Sequence, residues 1–208
     1  MNTHLAAACA GYIIGSVPFG YLAGRVAGVD VRTCGSGNVG ATNVVRVLGK
    51  KFGYSVFLLD FAKGLAAVFC ARWLSNRAAL DSAGAEVATA FAGIAAVIGH
   101  SFPIWLKFRG GKGVATCIGA LFGLVPIAAV IVCVVWLVTF EIGRYVSLAS
   151  VVAAVALPIA VGVMFLLHRF DSPVFVYLAV CLACLVLIRH RSNLARLANG
   201  TEPRFDRK

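Results

Sequence analysis

Apolar runs close to 20 residues long recur from one end of this 208-residue chain to the other. In water such runs cannot bury themselves. In a bilayer, a helix of about 20 residues crosses the ~30 Å hydrocarbon core with its backbone groups satisfied internally. The runs lie at 5–23, 54–73, 87–106, 114–140, 146–167 and 173–188. Charged residues are 13% of the chain, against roughly a quarter in a soluble domain. The expected fold is an all-α polytopic membrane protein, a single domain over residues 1–208. The first run is not read as a cleaved signal peptide, because it lacks a basic n-region, with only His4 among the residues before Leu5, and further spans follow.

Topology turns on one segment. Residues 114–140 make roughly 40 Å of straight helix at ~1.5 Å per residue, too long for one crossing and too short for two full ones. Pro126 divides it. If the run crosses once, there are six spans, and the glycine-rich stretch at 34–46 and the basic C-terminal tail fall on opposite sides. If it turns at Pro126 and crosses out and back, there are seven. All of the 19 Lys and Arg residues except Arg72, Arg77, Arg169 and, within a span, Lys63 then fall on one face. The positive-inside bias favours that layout, with the N-terminus outside and the C-terminus cytoplasmic. The net charge of +11 then belongs to loops facing lipid headgroups or an anionic substrate, not to nucleic acid.

Four polar clusters interrupt the apolar pattern. The first, CGSGNVGATNVVR at 34–46, interleaves Gly35, Gly37 and Gly40 with Ser36, Asn38, Thr42 and Asn43 and closes on Arg46. Glycines permit positive φ and bring N–H groups toward a ligand, small polar side chains add donors, and arginine forks onto phosphate. Residues 41–48 are far too short to cross and read as an interfacial helix. The second cluster, GHSFPIWLKFRGGKGVAT at 99–116, surrounds Lys112 with Gly110, Gly111 and Gly113, near His100, Lys107 and Arg109. A glycine turn leading into a helix presents N–H groups and a positive dipole end to an anion. Positive-inside charge accounts for Lys107 and Arg109 equally well, but not for three glycines around Lys112.

The third cluster, RYVSLAS, sets Ser147 and Ser150 three apart on one helix face. The fourth holds His190, Asn193 and Arg196 at a spacing of three, with Glu202 beyond. Serines also pack or back-bond inside membrane helices. Within the second span, Asp60 and Lys63 share a face, either as a mutual ion pair or as substrate contacts. The loop carboxylates Asp30, Glu141, Glu202 and Asp206 are scattered, whereas a hard cation needs clustered oxygen ligands. The expected site is therefore metal-free and needs no cofactor. His190 is its one group with an ordinary pKa near neutrality.

Two lookalikes fall away. Gly35, Gly37 and Gly40 fit G-x-G-x-x-G, but no strand–helix–strand unit fits between the first two spans. A glycine follows Lys112 where a Walker loop needs Ser or Thr. The seven cysteines lie mostly in spans, and Cys181 and Cys184, though spaced CxxC, have no other metal-type ligand near them in sequence.

Taken together, GSGNVGATNVVR, GHSFPIWLKFRGGKGVAT, RYVSLAS and the RHRSN…RL…GTEPRF tail resemble the bacterial acyl-phosphate:glycerol-3-phosphate acyltransferases, the PlsY family. The match runs end to end and in order. The resemblance implies a seven-helix inner-membrane enzyme with its active site facing the cytoplasm. It would move a fatty acyl group from acyl phosphate to the 1-hydroxyl of glycerol 3-phosphate, giving lysophosphatidic acid and inorganic phosphate, without acyl-CoA or acyl carrier protein. By the same resemblance, Ser36 and Arg46 bind phosphate and support transfer, and Gly37, Asn38, Gly40 and Asn43 belong to that motif. The turn of Lys107, Gly110, Gly111, Lys112 and Gly113 holds glycerol 3-phosphate. Ser147 and Ser150 match a serine motif, His190 and Asn193 match C-terminal site residues, and Glu202 holds the tail in place. The competing class is a transporter or binding protein for an organic phosphate, which would need polar residues continuing across the membrane.

Overall fold

The computed structural model describes residues 2–170 and 172–205. Asp206, Arg207 and Lys208 of the basic tail lie outside the described residues. Among the described residues there is no strand, and the chain is helical almost throughout. It divides into two compact units, Met1–Leu124 and Val125–Lys208.

The first unit contains α1 (Thr3–Ser16), α2 (Phe19–Val26), α3 (Ala41–Leu48), α4 (Lys50–Arg77), α5 (Ser82–Ser101), a single 3-10 turn at Ile104–Leu106, and α6 (Val114–Leu124). Small residues let these helices approach closely. Gly11 and Gly15 of α1 lie against the backbone of Ala92 and Ala96 on α5, and a methyl group at either glycine would overlap that backbone. Gly64 of α4 and Gly119 of α6 each face a carbonyl of the other helix, at Thr116 and Phe61. Such contacts replace the hydrophobic drive that helices lack inside lipid.

The second unit contains α7 (Pro126–Gly143), α8 (Val146–Leu166), α9 (Val174–Arg189) and α10 (Arg191–Ala198). Pro126 sits in the first turn of α7, where its missing N–H costs no helical bond. Leu178, Leu182 and Val161 are fully buried in its core. By length and composition, five segments among the described residues can cross a membrane: Thr3–Val26, Lys50–Arg77, Ser82–Leu106, Pro126–Gly143 and Val146–Leu166. The pair α9 and α10, bent by 58°, makes a sixth if taken together, and α6 is a shorter apolar helix. The chain is a multi-pass helical membrane protein.

Pro18 interrupts the helix within the first span: α1 ends at Ser16 and Pro18 is the N-cap of α2, both inside the crossing segment Thr3–Val26. The polar stretch at 75–86 between the second and third apolar runs reads as a loop by composition but is mostly helix, with residues 78–81 outside. Ser75 spends its hydroxyl on the Ala71 carbonyl within α4 (2.9 Å), and Asp81 caps α5 by accepting from the Gly84 N–H (2.8 Å). The third span ends at Leu106 as expected, with its α-helix stopping at Ser101 and the 3-10 turn Ile104–Leu106 completing the segment.

Candidate active site

In the first unit, α3 begins immediately after the glycine loop. Asn43 is 2% exposed and organises that loop. Its Oδ1 accepts from the Ser36 N–H (2.8 Å), and its Nδ2 donates to the carbonyls of Val31 (3.0 Å) and Cys34 (3.2 Å). Asn38 Oδ1 accepts from the Gly40 N–H (2.8 Å). Gly35 and Gly37 take φ of +59° and +69°, and a side chain at Gly35 would strike the Asn43 amide. The loop is thus built from within, while Ser36 stands exposed on it and Arg46 stands exposed in the last turn of α3. Beside it the Asp30 carboxylate takes the Arg32 guanidinium at 2.6 Å. That hydrogen bond pulls the Asp30 pKa down to about 2.

The Lys112 loop is held by the end of α5. The Gly110 N–H donates to the Ser101 carbonyl (3.2 Å) and the Gly111 N–H to the His100 carbonyl (3.1 Å). These are carbonyls that a helix end otherwise leaves without helical donors. The turn between is tight: Lys107 and Phe108 take φ of +52° and +61°. Lys107 and Arg109 are exposed and Lys112 is half-buried. Gly113 has φ +81°, and α6 begins directly after it.

Beneath this loop lies a buried charge cluster. Asp60 and Lys63 form an ion pair at 2.7 Å, and His100 Nδ1 lies 3.5 Å from the same Asp60 Oδ1. Lys63 Nζ also donates to the Val17 carbonyl (2.8 Å), at the break between α1 and α2. The ion-pair alternative for Asp60 and Lys63 is therefore present. His100 joins it from 40 residues away, a link no local spacing indicates; the only sequence signal was a third ionisable group near a span.

In the second unit, Glu202 is the hub. Its Oε1 accepts from Ser147 Oγ and from Asn193 Nδ2, both at 2.7 Å, and its Oε2 accepts from Arg196 Nε at 2.7 Å. Burial pushes the Glu202 carboxyl up, but these three donors outweigh it and hold it below its ordinary value. The tail is thereby tied to α8 and α10, the role expected of Glu202. Ser150 Oγ donates to the Val146 carbonyl (2.8 Å) and accepts from Trp136 Nε1 (3.1 Å). Ser147 and Ser150 are both buried with protein acceptors for their protons, so a ligand could use only their lone pairs.

His190 is 2% exposed and caps α10. Its Nδ1 lies 2.8 Å from the Val186 carbonyl. An Nδ1–H donating there leaves the Nε2 lone pair as the basic position of the neutral ring. His190, Asn193 and Arg196 run along α10 from its N-cap to its last turn, at the spacing of three that sets residues on one helix face. Among the described residues no group of three or more His, Cys, Asp or Glu side chains is placed to hold a metal ion.

The chain was compared with known proteins. The profile described as glycerol-3-phosphate acyltransferase matches residues 5–200. A glycerol-3-phosphate acyltransferase of Rhodopseudomonas palustris is 44% identical over 209 residues, covering 100% of this chain and 99% of that protein. The crystal structure of PlsY, an integral membrane glycerol 3-phosphate acyltransferase, in its glycerol 3-phosphate form is 39% identical with a TM-score of 0.85, over 99% of this chain and 96% of that one. The lysophosphatidic acid form gives 38% and 0.83 over the same shares. With the motifs, the helical fold and the full-length match in agreement, the chain belongs to the glycerol-3-phosphate acyltransferase family.

Proposed function

We propose that this chain transfers a fatty acyl group from acyl phosphate to the 1-hydroxyl of glycerol 3-phosphate. The 1-hydroxyl oxygen attacks the acyl carbonyl, the bond between the acyl carbon and the bridging oxygen breaks, and inorganic phosphate leaves with the electron pair. The products are 1-acyl-glycerol 3-phosphate and phosphate, the first acylation step of phospholipid synthesis. The observation that carries this reading is the pairing of family membership with two glycine loops, one exposing Ser36 and running into the helix that exposes Arg46, the other carrying Lys112. The leaving group is good, so the protein need supply mainly positioning and charge stabilisation.

Roles are assigned unit by unit. Ser36, Arg46 and the N–H groups of the loop bearing Gly37, Asn38 and Gly40 take the phosphate that leaves, with Asn43 holding the loop. Lys112, with Gly110, Gly111 and Gly113 and with Lys107 at the approach, takes the phosphate of glycerol 3-phosphate. In this scheme His190 Nε2 accepts the hydroxyl proton, with the phosphate of the substrate itself as the rival base. Asn193 supports the alcohol, and Ser147 and Ser150 shape its surroundings. No metal enters this scheme. In its support, Asp30, Asp60, Glu141 and Glu202 are each already paired with a basic side chain.

The proposed setting is the bacterial cytoplasmic membrane, with seven crossings, the N-terminus outside, and the phosphate-handling loops facing the cytoplasm. Residues 1–208 act as one acyltransferase domain. The α6 crossing is then short: its 11 residues rise only ~16 Å, and the incoming glycine segment supplies the remainder. Acyl chains enter laterally from the bilayer.

Purified protein in lipid, given palmitoyl phosphate and radiolabelled glycerol 3-phosphate, is expected to form labelled lysophosphatidic acid. Palmitoyl-CoA or acylated carrier protein in place of palmitoyl phosphate is expected to yield none. Turnover with either thioester and not with the acyl phosphate would refute the donor.

A further inference from the structure

We infer that Asp60 is a positioning residue for the glycine loop that carries Lys112. Ionisable side chains inside a membrane span are costly and need a reason to be there. Here Asp60, Lys63 and His100 are all buried, at 2%, 5% and 7% exposure, and they converge on a single carboxylate oxygen. An ion pair alone would be complete with Lys63. Asp60 also faces His100 Nδ1, and the far side of that imidazole packs on Gly111.

The contact with Gly111 is close. A methyl group there would meet Nε2, Cε1 and Cδ2 of the ring, so the ring and the loop backbone fit only with glycine between them. The His100 carbonyl accepts from Gly111 N–H at 3.1 Å, and Ser101 accepts from Gly110. Gly113 lies against Val97 and Ser101. The loop therefore rests on the last turn of α5, with the His100 ring as its floor. Asp60 Oδ1 faces the ring at 3.5 Å from Nδ1, and that electrostatic approach biases how the ring is turned. Lys63 holds Asp60 and, through the Val17 carbonyl, ties it to the break between α1 and α2. The order of transmission is Lys63, Asp60, His100, Gly111, and then Lys112 next in the chain.

This rests on the assignment of Lys112 to glycerol 3-phosphate, so the deciding readout is binding, with turnover used only for the KM of the other substrate. Calorimetry compares wild-type protein with Asp60→Asn, and with Asp60→Asn/Lys63→Met, which removes the charge left unpaired. Both variants are expected to weaken glycerol 3-phosphate binding about tenfold, with His100→Gln adding nothing further on top of Asp60→Asn. The KM for acyl phosphate is expected to stay within about twofold of wild type, a split that general loosening would not produce. Glycerol 3-phosphate affinity within about twofold of wild type in a folded variant overturns the inference.

If neither variant folds, the wild-type protein decides. Its His100 ring nitrogen signals, assigned by their loss in His100→Gln, should move when glycerol 3-phosphate is added, and unmoved signals overturn the inference. Failure of the proposed reaction would show separately, as wild-type protein that binds glycerol 3-phosphate without acylating it.

Discussion

Ser147 Oγ donates to Glu202 Oε1 at 2.7 Å, across 55 residues of sequence, and both groups are buried. With Asn193 and Arg196 on the same carboxylate, this contact decides whether the C-terminal segment stays docked on its own unit. Glu202→Gln removes the charge and presents an N–H₂ group to at least one of three donors. We expect a loss of about 2 kcal/mol, reduced from the cost of a fully buried pair because Arg196 is partly exposed. Thermal unfolding in detergent measures it, and an unchanged Tm would contradict the assignment.

The same carboxylate gives a pH prediction. Its folded pKa lies below the ordinary 4.5, so its stabilisation is complete above the unfolded value. It fades as pH falls past that value and is gone once pH passes the lower, folded one. The Tm difference between wild type and Glu202→Gln should therefore be constant from neutrality down to about pH 5 and close below it. A difference that persisted undiminished at pH 2.5 would count against the hub.

Asn43→Ala should loosen the loop at 34–40, since two hydrogen bonds to its backbone, at Ser36 and Cys34, and a third to the Val31 carbonyl before it go at once. Asn43→Asp keeps the acceptor for the Ser36 N–H but turns an oxygen toward the carbonyls of Val31 and Cys34. Both changes should cost about 1–3 kcal/mol, and faster amide exchange at residues 34–37 would report it directly.

Two glycines should part company. Gly111→Ala places a methyl group on the His100 ring and should weaken glycerol 3-phosphate binding sharply. A Cβ at Gly162, inside α8, meets nothing within 4 Å. Gly162→Ala should raise stability by about 0.5–1 kcal/mol and leave activity alone, because alanine is the better helix former. Equal effects at the two positions would mean the crowding at Gly111 is irrelevant.

Much of this architecture was legible in the sequence because a bilayer allows few backbone solutions. A short helix was expected at 41–48 and is Ala41–Leu48; the segment at 114–140 was expected to divide at Pro126, and it does. What misled was polarity at helix ends. Ser75, Asn76 and Arg77 look like loop residues, yet they form the last turn of α4, where a serine can bond back and an arginine suits the dipole. The attachment of His100 to Asp60 and the three donors on Glu202 were not legible. They depend on which helix faces meet, and no local spacing encodes that.

The most direct test of the proposed reaction follows one oxygen. Palmitoyl phosphate labelled with ¹⁸O at the oxygen bridging carbon and phosphorus is turned over with glycerol 3-phosphate by the purified protein, and both products are weighed by mass spectrometry. Acyl transfer breaks the carbon–oxygen bond, so the account predicts the whole label in inorganic phosphate and none in the lysophosphatidic acid. Label recovered in free palmitate, with no lysophosphatidic acid formed, would mean that the phosphorus–oxygen bond breaks instead and would contradict the account.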